Sequence, residues 1–166
     1  RGGAGGRSQE VFLEELAAEV TARCAGRKPA PKVVSTRHGL SVRADRERLT
    51  AAVEQLVRNA QEATPETGNV TLEIDAATET AIIRIRDNGG GMSDEFVRER
   101  LFRPFDSTKG SKGMGIGAYQ ARDYIRTLGG ELNVDTSPGR GTLFTITLPR
   151  FGKKEDVAAG SLVAVK

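Results

Sequence analysis

The chain has a single cysteine, Cys24, among its 166 residues. No internal disulfide can form, so a disulfide-framed secreted fold is excluded and a reducing cytoplasm fits. Cys24 falls at the end of a helical pattern with no adjacent base, and it reads as inert. There is also one histidine, His38, which excludes a metal site built from several histidines. It sits in an Arg37-His38-Gly39 turn and reads as an exposed turn residue. No stretch approaches the ~20 apolar residues of a membrane span, so membrane contact by this segment is not expected. No secretory leader is visible. Basic residues are not clustered: Lys+Arg 25 against Asp+Glu 22 leaves a net charge of only +3, and no nucleic-acid partner is expected. There is no G-x-x-x-x-G-K-[ST] run, so a P-loop protein is excluded. No internal repeat is present.

What remains is ordinary globular material, 37% hydrophobic and 28% charged, of a length for one domain. Residues 1–8, rich in glycine, read as a linker or tag remnant, and the chain reads as a fragment. Residues 9–151 read as the domain and 152–166 as a C-terminal tail, or as a strand borrowed by a neighbour.

Ser8 is a candidate N-cap for a leading helix over 9–24, with Phe12, Leu13, Leu16 and Val20 on its apolar stripe. Lys32–Ser35 and Leu40–Arg43 read as short strands joined at the His38 turn. Asp45 caps a long helix from Arg46 to Thr64, cored by Leu49, Val53, Leu56, Ala60 and Ala63. Gln55, Asn59 and Glu62 run beside that stripe at helical spacing. Val70–Ala76 and Ala81–Asp87 alternate as a hairpin, which puts Asp87 at a strand end. Ser93 and Asp94 start a short helix to Leu101. Residues 102–116 lack periodicity and read as a loop, and Gly117–Leu128 reads as a helix. Glu131–Thr136 and Thr142–Leu148 make a last hairpin. The sum is a two-layer α/β sandwich: a mixed, mostly antiparallel sheet covered on one face by helices.

Certain residues suggest chemistry. Asp87, at the head of Asp87-Asn88-Gly89-Gly90-Gly91-Met92, can accept a hydrogen bond from an adenine amino group and not from a guanine carbonyl. Gly89 and Gly91 would keep side chains off the turn beneath the base. Taken alone, the same residues are a plain hairpin turn. Gly113, Gly115 and Gly117 can offer successive N–H groups to phosphates at a helix start, or simply form a flexible entry. Lys109 and Lys112 can neutralise phosphate charge from the intervening loop, and Phe102 and Phe105 can anchor that loop. Asn59 offers an amide oxygen to Mg²⁺, a metal held mainly by substrate phosphates and water.

Together these residues resemble the catalytic ATP-binding domain of bacterial sensor histidine kinases, within the superfamily shared by gyrase, Hsp90 and MutL. The resemblance covers about Leu40 to Pro149. Leu49–Thr64 is similar to the N box, Asp87–Met92 to the G1 box, Phe102–Lys109 to the F box and Gly113–Gly117 to the G2 box. Gly139-Arg140-Gly141-Thr142 resembles the last glycine box, and the resemblance implies that the Thr142 hydroxyl joins Asp87. Phe105-Asp106-Ser107-Thr108-Lys109-Gly110 also resembles sensor kinases of exosortase (PEP-CTERM) systems.

The resemblance implies ATP or ADP and Mg²⁺ as ligands, with Met92 and Phe105 in the nucleotide site and Asn59, Lys109 and Lys112 in the transfer machinery. It implies a cytoplasmic domain whose parent kinase can be anchored in the inner membrane. Its partners would be the phosphoacceptor and dimerisation domain and, indirectly, a response regulator. No acceptor-type His occurs in residues 1–32, so the acceptor would lie on a separate domain. Hydrolytic members carry a general-base Glu four residues before the magnesium Asn. Here that position is Gln55, which cannot take a proton from water. Two other readings stay open: an ATP-hydrolysing machine of the gyrase or Hsp90 type, and a nucleotide-gated pseudokinase.

Overall fold

The computed structural model describes residues 7–103 and 114–152. The elements in chain order are β1 (Ser8–Phe12), α1 (Leu13–Cys24), β2 (Lys32–Ser35), β3 (Ser41–Asp45), α2 (Arg46–Ala63), β4 (Val70–Ala76), β5 (Thr80–Asp87), α3 (Asp94–Phe96), α4 (Met114–Thr127), β6 (Glu131–Thr136) and β7 (Thr142–Pro149). A π-helical turn, Val97–Leu101, continues α3.

The main sheet has five strands in the order β2-β4-β5-β7-β6. Only β2 runs parallel to its neighbour, and the other pairings are antiparallel. Strict alternation sorts the two faces. Val70, Leu72, Ile74, Ala81, Ile83, Ile85, Phe144, Ile146 and Leu148 are buried beneath the helices. On the other face Arg84 pairs with Glu73 and Asp75, and Arg86 with Glu73. This is the two-layer arrangement that the residue pattern implies.

The leading segment differs from expectation. Ser8 does not cap a helix, and residues 8–12 are neither linker nor helix. They pair antiparallel with β3, from Ser8 against Asp45 to Phe12 against Ser41. The helix starts at Leu13, whose N–H reaches the Leu40 carbonyl at 3.0 Å. Its buried positions are Leu13, Leu16, Ala17, Val20 and Cys24, while Phe12 is 39% exposed. The hydrogen bonds offered by β3 outweigh a helical pattern that the first four residues complete only weakly. For the same reason β2 and β3 do not join as a pair: one adds to the main sheet and the other to β1.

The long helix follows its expected limits closely. Asp45 Oδ1 accepts from the Arg48 N–H at 3.2 Å, and the Asp45 N–H donates to the Tyr124 hydroxyl at 2.9 Å. Leu49, Val53, Leu56 and Ala60 are buried as the stripe requires, joined by Val57, whereas Ala63 is exposed. Gln61 is an unforeseen brace. Its buried amide donates to the carbonyls of Cys24 and Arg27 at 2.9 Å and of Pro29 at 3.2 Å, fastening the α1–β2 connection to α2. Cys24 is buried and free, and burial pushes its thiol pKa up, in keeping with an inert role. His38 lies on the surface, its side chain 81% exposed and its Nδ1 2.8 Å from Glu14 Oε2.

The last helix begins at Met114, three residues before the expected Gly117. The loop expected over 102–116 therefore ends earlier. Its centre, and the tail from residue 153, lie outside the described residues.

Candidate nucleotide site

A cavity opens between α2, the end of β5, the π-helical turn and β7. Asn59, Ala60, Ala63, Asp87, Gly91, Met92, Leu101, Thr142 and Phe144 line it. Residues far apart in sequence thus converge: three from the long helix, three from the glycine turn, one from the π-helical turn and two from the last strand. The walls are apolar except for Asp87, Asn59 and Thr142, the composition of a site for a flat, mostly apolar ring read by a few polar groups.

Asp87 is held rigidly. It pairs with Thr142 in the β5–β7 register. Its Oδ1 accepts from the Gly89 N–H at 2.8 Å, and its residue is only 6% exposed. Burial is the largest influence on its carboxyl and raises its pKa. The Gly89 and Thr142 N–H groups and the Thr64 hydroxyl oppose that rise without cancelling it. A carboxylate with donors on one side and an apolar cavity on the other is poised to accept a further hydrogen bond.

The glycines of this turn answer to protein backbone more than to a base. A Cβ on Gly89 would lie 2.1 Å from the Ala63 carbonyl oxygen. One on Gly91 would lie 2.0 Å from the Ser137 carbonyl oxygen, and Gly91 has φ of +75° besides. Gly91 borders the cavity, whereas Gly89 is behind it, against the end of α2. The Gly90 N–H reaches the Ala63 carbonyl at 3.2 Å, and the Gly139 N–H reaches the Gly90 carbonyl at 2.7 Å. The turn is therefore clamped between α2 and the β6–β7 connection.

Thr136 was not singled out in the sequence, yet it ties this clamp together. Its hydroxyl accepts from the Met92 N–H at 2.9 Å, lies 2.9 Å from the Gly141 carbonyl and 2.8 Å from the Thr142 hydroxyl. The Thr142 hydroxyl is thus engaged with Thr136, and Thr142 meets Asp87 through its backbone N–H. That differs from the hydroxyl contact implied by resemblance. A threonine at a strand end gives no sequence signal of such a bridge. Leu101 and Phe144 were also not assigned to the site. Both sit at apolar positions that a core explains equally well.

Asn59 is 3% exposed. Its Oδ1 accepts from Gln55 Nε2 at 3.2 Å, and its Nδ2 is buried without a partner. An orphaned buried amide atom in a helix that lines a cavity is a standing cost unless something meets it. Nδ2 is a donor that only an acceptor can satisfy, so a hard cation would be held by Oδ1 and would fit only with the carboxamide turned to present that oxygen. Glu54, the neighbouring acid, is committed elsewhere. It accepts from Arg58 at 2.6 Å and from Arg23 at 3.0 Å. Burial would raise its pKa, but the hydrogen bonds from those two guanidinium groups hold it below the usual carboxylate range. It is no general base for this site.

Gly117 lies in α4 against Gln55 and not among the cavity-lining residues. Gly115 lies in the first turn of the same helix. Phe105, Lys109, Lys112 and Gly113 lie outside the described residues. Phe102, at the near edge of that gap, is covered by the Arg122 guanidinium 4.1 Å from its ring centre.

Residues 44–151 match the family described as histidine kinase-, DNA gyrase B-, and HSP90-like ATPase. The chain belongs to this family. Among curated proteins, it is 38% identical over 146 residues to the C4-dicarboxylate transport sensor protein DctS of Rhodobacter capsulatus, covering 84% of this chain. It is 32% identical over 114 residues to sporulation kinase D of Bacillus subtilis, covering 69% of this chain. The chain spans only 22% of the length of each of those proteins. Among solved structures, the catalytic domain of histidine kinase ThkA superposes with a TM-score of 0.74 at 26% identity, covering 87% of this chain and 96% of that one. This histidine-kinase-like ATPase domain is therefore homologous to the catalytic domains of sensor histidine kinases, and the cavity under Asp87 is its nucleotide-binding candidate.

Proposed function

We propose that this domain binds Mg-ATP in the cavity under Asp87 and donates the γ-phosphate to a histidine on a separate phosphoacceptor domain of the same kinase. The observation that carries the reading is convergence: Asp87, Asn59, Gly91, Met92 and Thr142 border one small cavity with apolar walls. Asp87 would accept from the adenine amino group, while Leu101, Phe144 and Met92 would flank the ring. Asn59 would hold Mg²⁺ by its side-chain oxygen. When bound, the metal supplies charge neutralisation at the phosphates. Lys109 and Lys112 would add positive charge from the segment before α4, and Gly113 and Gly115 would open that helix toward the phosphates. Phe105 would anchor the segment.

Transfer is favoured over hydrolysis by what stands one helical turn before Asn59. Gln55 is an amide, hydrogen-bonded to Asn59, and cannot activate water. The partners would be the dimerisation and phosphoacceptor domain and, through it, a response regulator. The domain would work in the cytoplasm, with a parent kinase anchored in the inner membrane.

The test is transfer in trans. With γ-labelled ATP, the chain alone should acquire no acid-labile label, since His38 is an exposed turn residue held by Glu14. Added acceptor domain should become labelled, and steady-state phosphate release should stay slow. Asn59→Ala should remove the magnesium-dependent part of nucleotide affinity and leave binding in excess chelator nearly unchanged. Rapid hydrolysis without transfer, or equal loss with and without Mg²⁺, would overturn the reading.

A further inference from the structure

Gln55 and Gly117 meet where α2 packs on α4. A Cβ on Gly117 would lie 2.5 Å from Gln55 Cγ, 2.6 Å from Cδ and 2.7 Å from Nε2. Real Cβ atoms do not approach other atoms so closely, so the Gln55 side chain occupies space that only glycine leaves. That contact is helix against side chain. It spends Gly117 on packing, although its place in a glycine run suggests a phosphate-facing N–H.

From this seat Gln55 reaches Asn59, four residues on and on the same helical face, at 3.2 Å. Asn59 Nδ2, the other end of the carboxamide, is buried with no partner. The oxygen and nitrogen of an amide are nearly equal in size. Turning both carboxamides over therefore costs no volume. Asn59 Nδ2 then donates to Gln55 Oε1, and Asn59 Oδ1 takes the partnerless position. A partnerless buried donor is only a cost. A partnerless buried oxygen is a ligand for a hard cation.

We propose that Gln55 is a positioning residue for the metal ligand: wedged against Gly117, it holds the Asn59 carboxamide with its oxygen free for Mg²⁺. The inference rests on the reading of Asn59 as that ligand. It also makes α4 part of the metal site, since any side chain at position 117 displaces Gln55. Groups that orient a ligand in this way commonly matter about 10- to 100-fold in metal affinity.

The experiment measures calorimetric affinity for the β,γ-imido analogue of ATP, with Mg²⁺ and with excess chelator, and takes the ratio. Gln55→Met keeps length and loses both hydrogen-bonding atoms; it should cut the ratio about 10-fold or more with chelator affinity unchanged. Gln55→Glu can accept from Asn59 Nδ2 and cannot donate to Oδ1; it should keep the ratio at or above that of the parent chain. Gly117→Ala should lower both the ratio and the ligand-free melting temperature. Adding Gln55→Ala to it should restore the melting temperature and not the ratio. A parent-like ratio in Gln55→Met, or a lost ratio in Gln55→Glu, overturns the positioning role. If the ratio also survives in Asn59→Ala, the ligand assignment itself falls; if Asn59→Ala alone loses it, only the role of Gln55 falls.

Discussion

Replacing Asp87 by Asn tests base recognition most directly. A hydrogen bond from the adenine amino group to a carboxylate is charge-assisted, and such bonds contribute about 1.5–3 kcal/mol. Two features of the site bracket the value. The residue is 6% exposed, which strengthens the bond by lowering the local dielectric. The Gly89 N–H already donates to the same carboxylate at 2.8 Å, which spreads its charge and weakens each bond. A middle value of about 2 kcal/mol corresponds to roughly 30-fold in Kd. Calorimetry should therefore show ATP and ADP binding weakened about 30-fold by Asp87→Asn. The parent chain should discriminate against GTP, whose O6 would face a carboxylate. The variant should narrow that gap, because an Asn amide can turn its nitrogen toward O6.

The same residue has a pH signature. Burial raises its pKa, so the folded domain holds this proton more tightly than the unfolded chain does. Between the ordinary carboxylate pKa and the raised one, unfolding releases the proton. Asp87 therefore contributes stability at low pH that is lost as pH rises through this window, with no further change above the folded pKa. Unfolding of the ligand-free protein in denaturant, measured across that range, should show this slope in the parent chain and not in Asp87→Asn. Equal affinity for ATP and GTP in the parent chain, or a pH dependence that Asp87→Asn leaves intact, would refute the argument.

Gly89→Ala places a methyl group 2.1 Å from the Ala63 carbonyl oxygen, a backbone atom that cannot swing aside. Overpacking of this kind costs about 1–3 kcal/mol, and the ligand-free melting temperature should fall by about 5 °C. An unchanged melting temperature would show that the turn is not clamped as described. Gln61→Met removes the donor to three backbone carbonyls between α1 and β2, none of them in a residue that lines the cavity. Denaturant unfolding should show a loss of about 1–3 kcal/mol, with nucleotide affinity unaltered. A parallel loss of nucleotide affinity would place Gln61 in communication with the site.

Much of the fold was legible because short-range rules decide it. Alternation in Val70–Ala76 and Thr80–Asp87 specifies which face is buried whatever the partner strand. Asp45 caps α2 through a bond three residues away, so its helix start was readable. Asp87, with the glycine turn after it, and Asn59 were legible as candidates from residue type and order, and they border one cavity.

What tertiary structure alone decided depends on partners distant in sequence. Ser8–Phe12 is a strand because β3, far along the chain, offers it hydrogen bonds from Ser41 to Asp45, a gain that local propensity cannot register. Thr136 bridges the Met92 N–H, the Gly141 carbonyl and the Thr142 hydroxyl only because β6 lies beside β7. Gly89 and Gly117 look alike as letters in glycine runs. One faces the carbonyl of α2 and the other the side chain of Gln55, and which atoms crowd a missing Cβ is settled by packing alone.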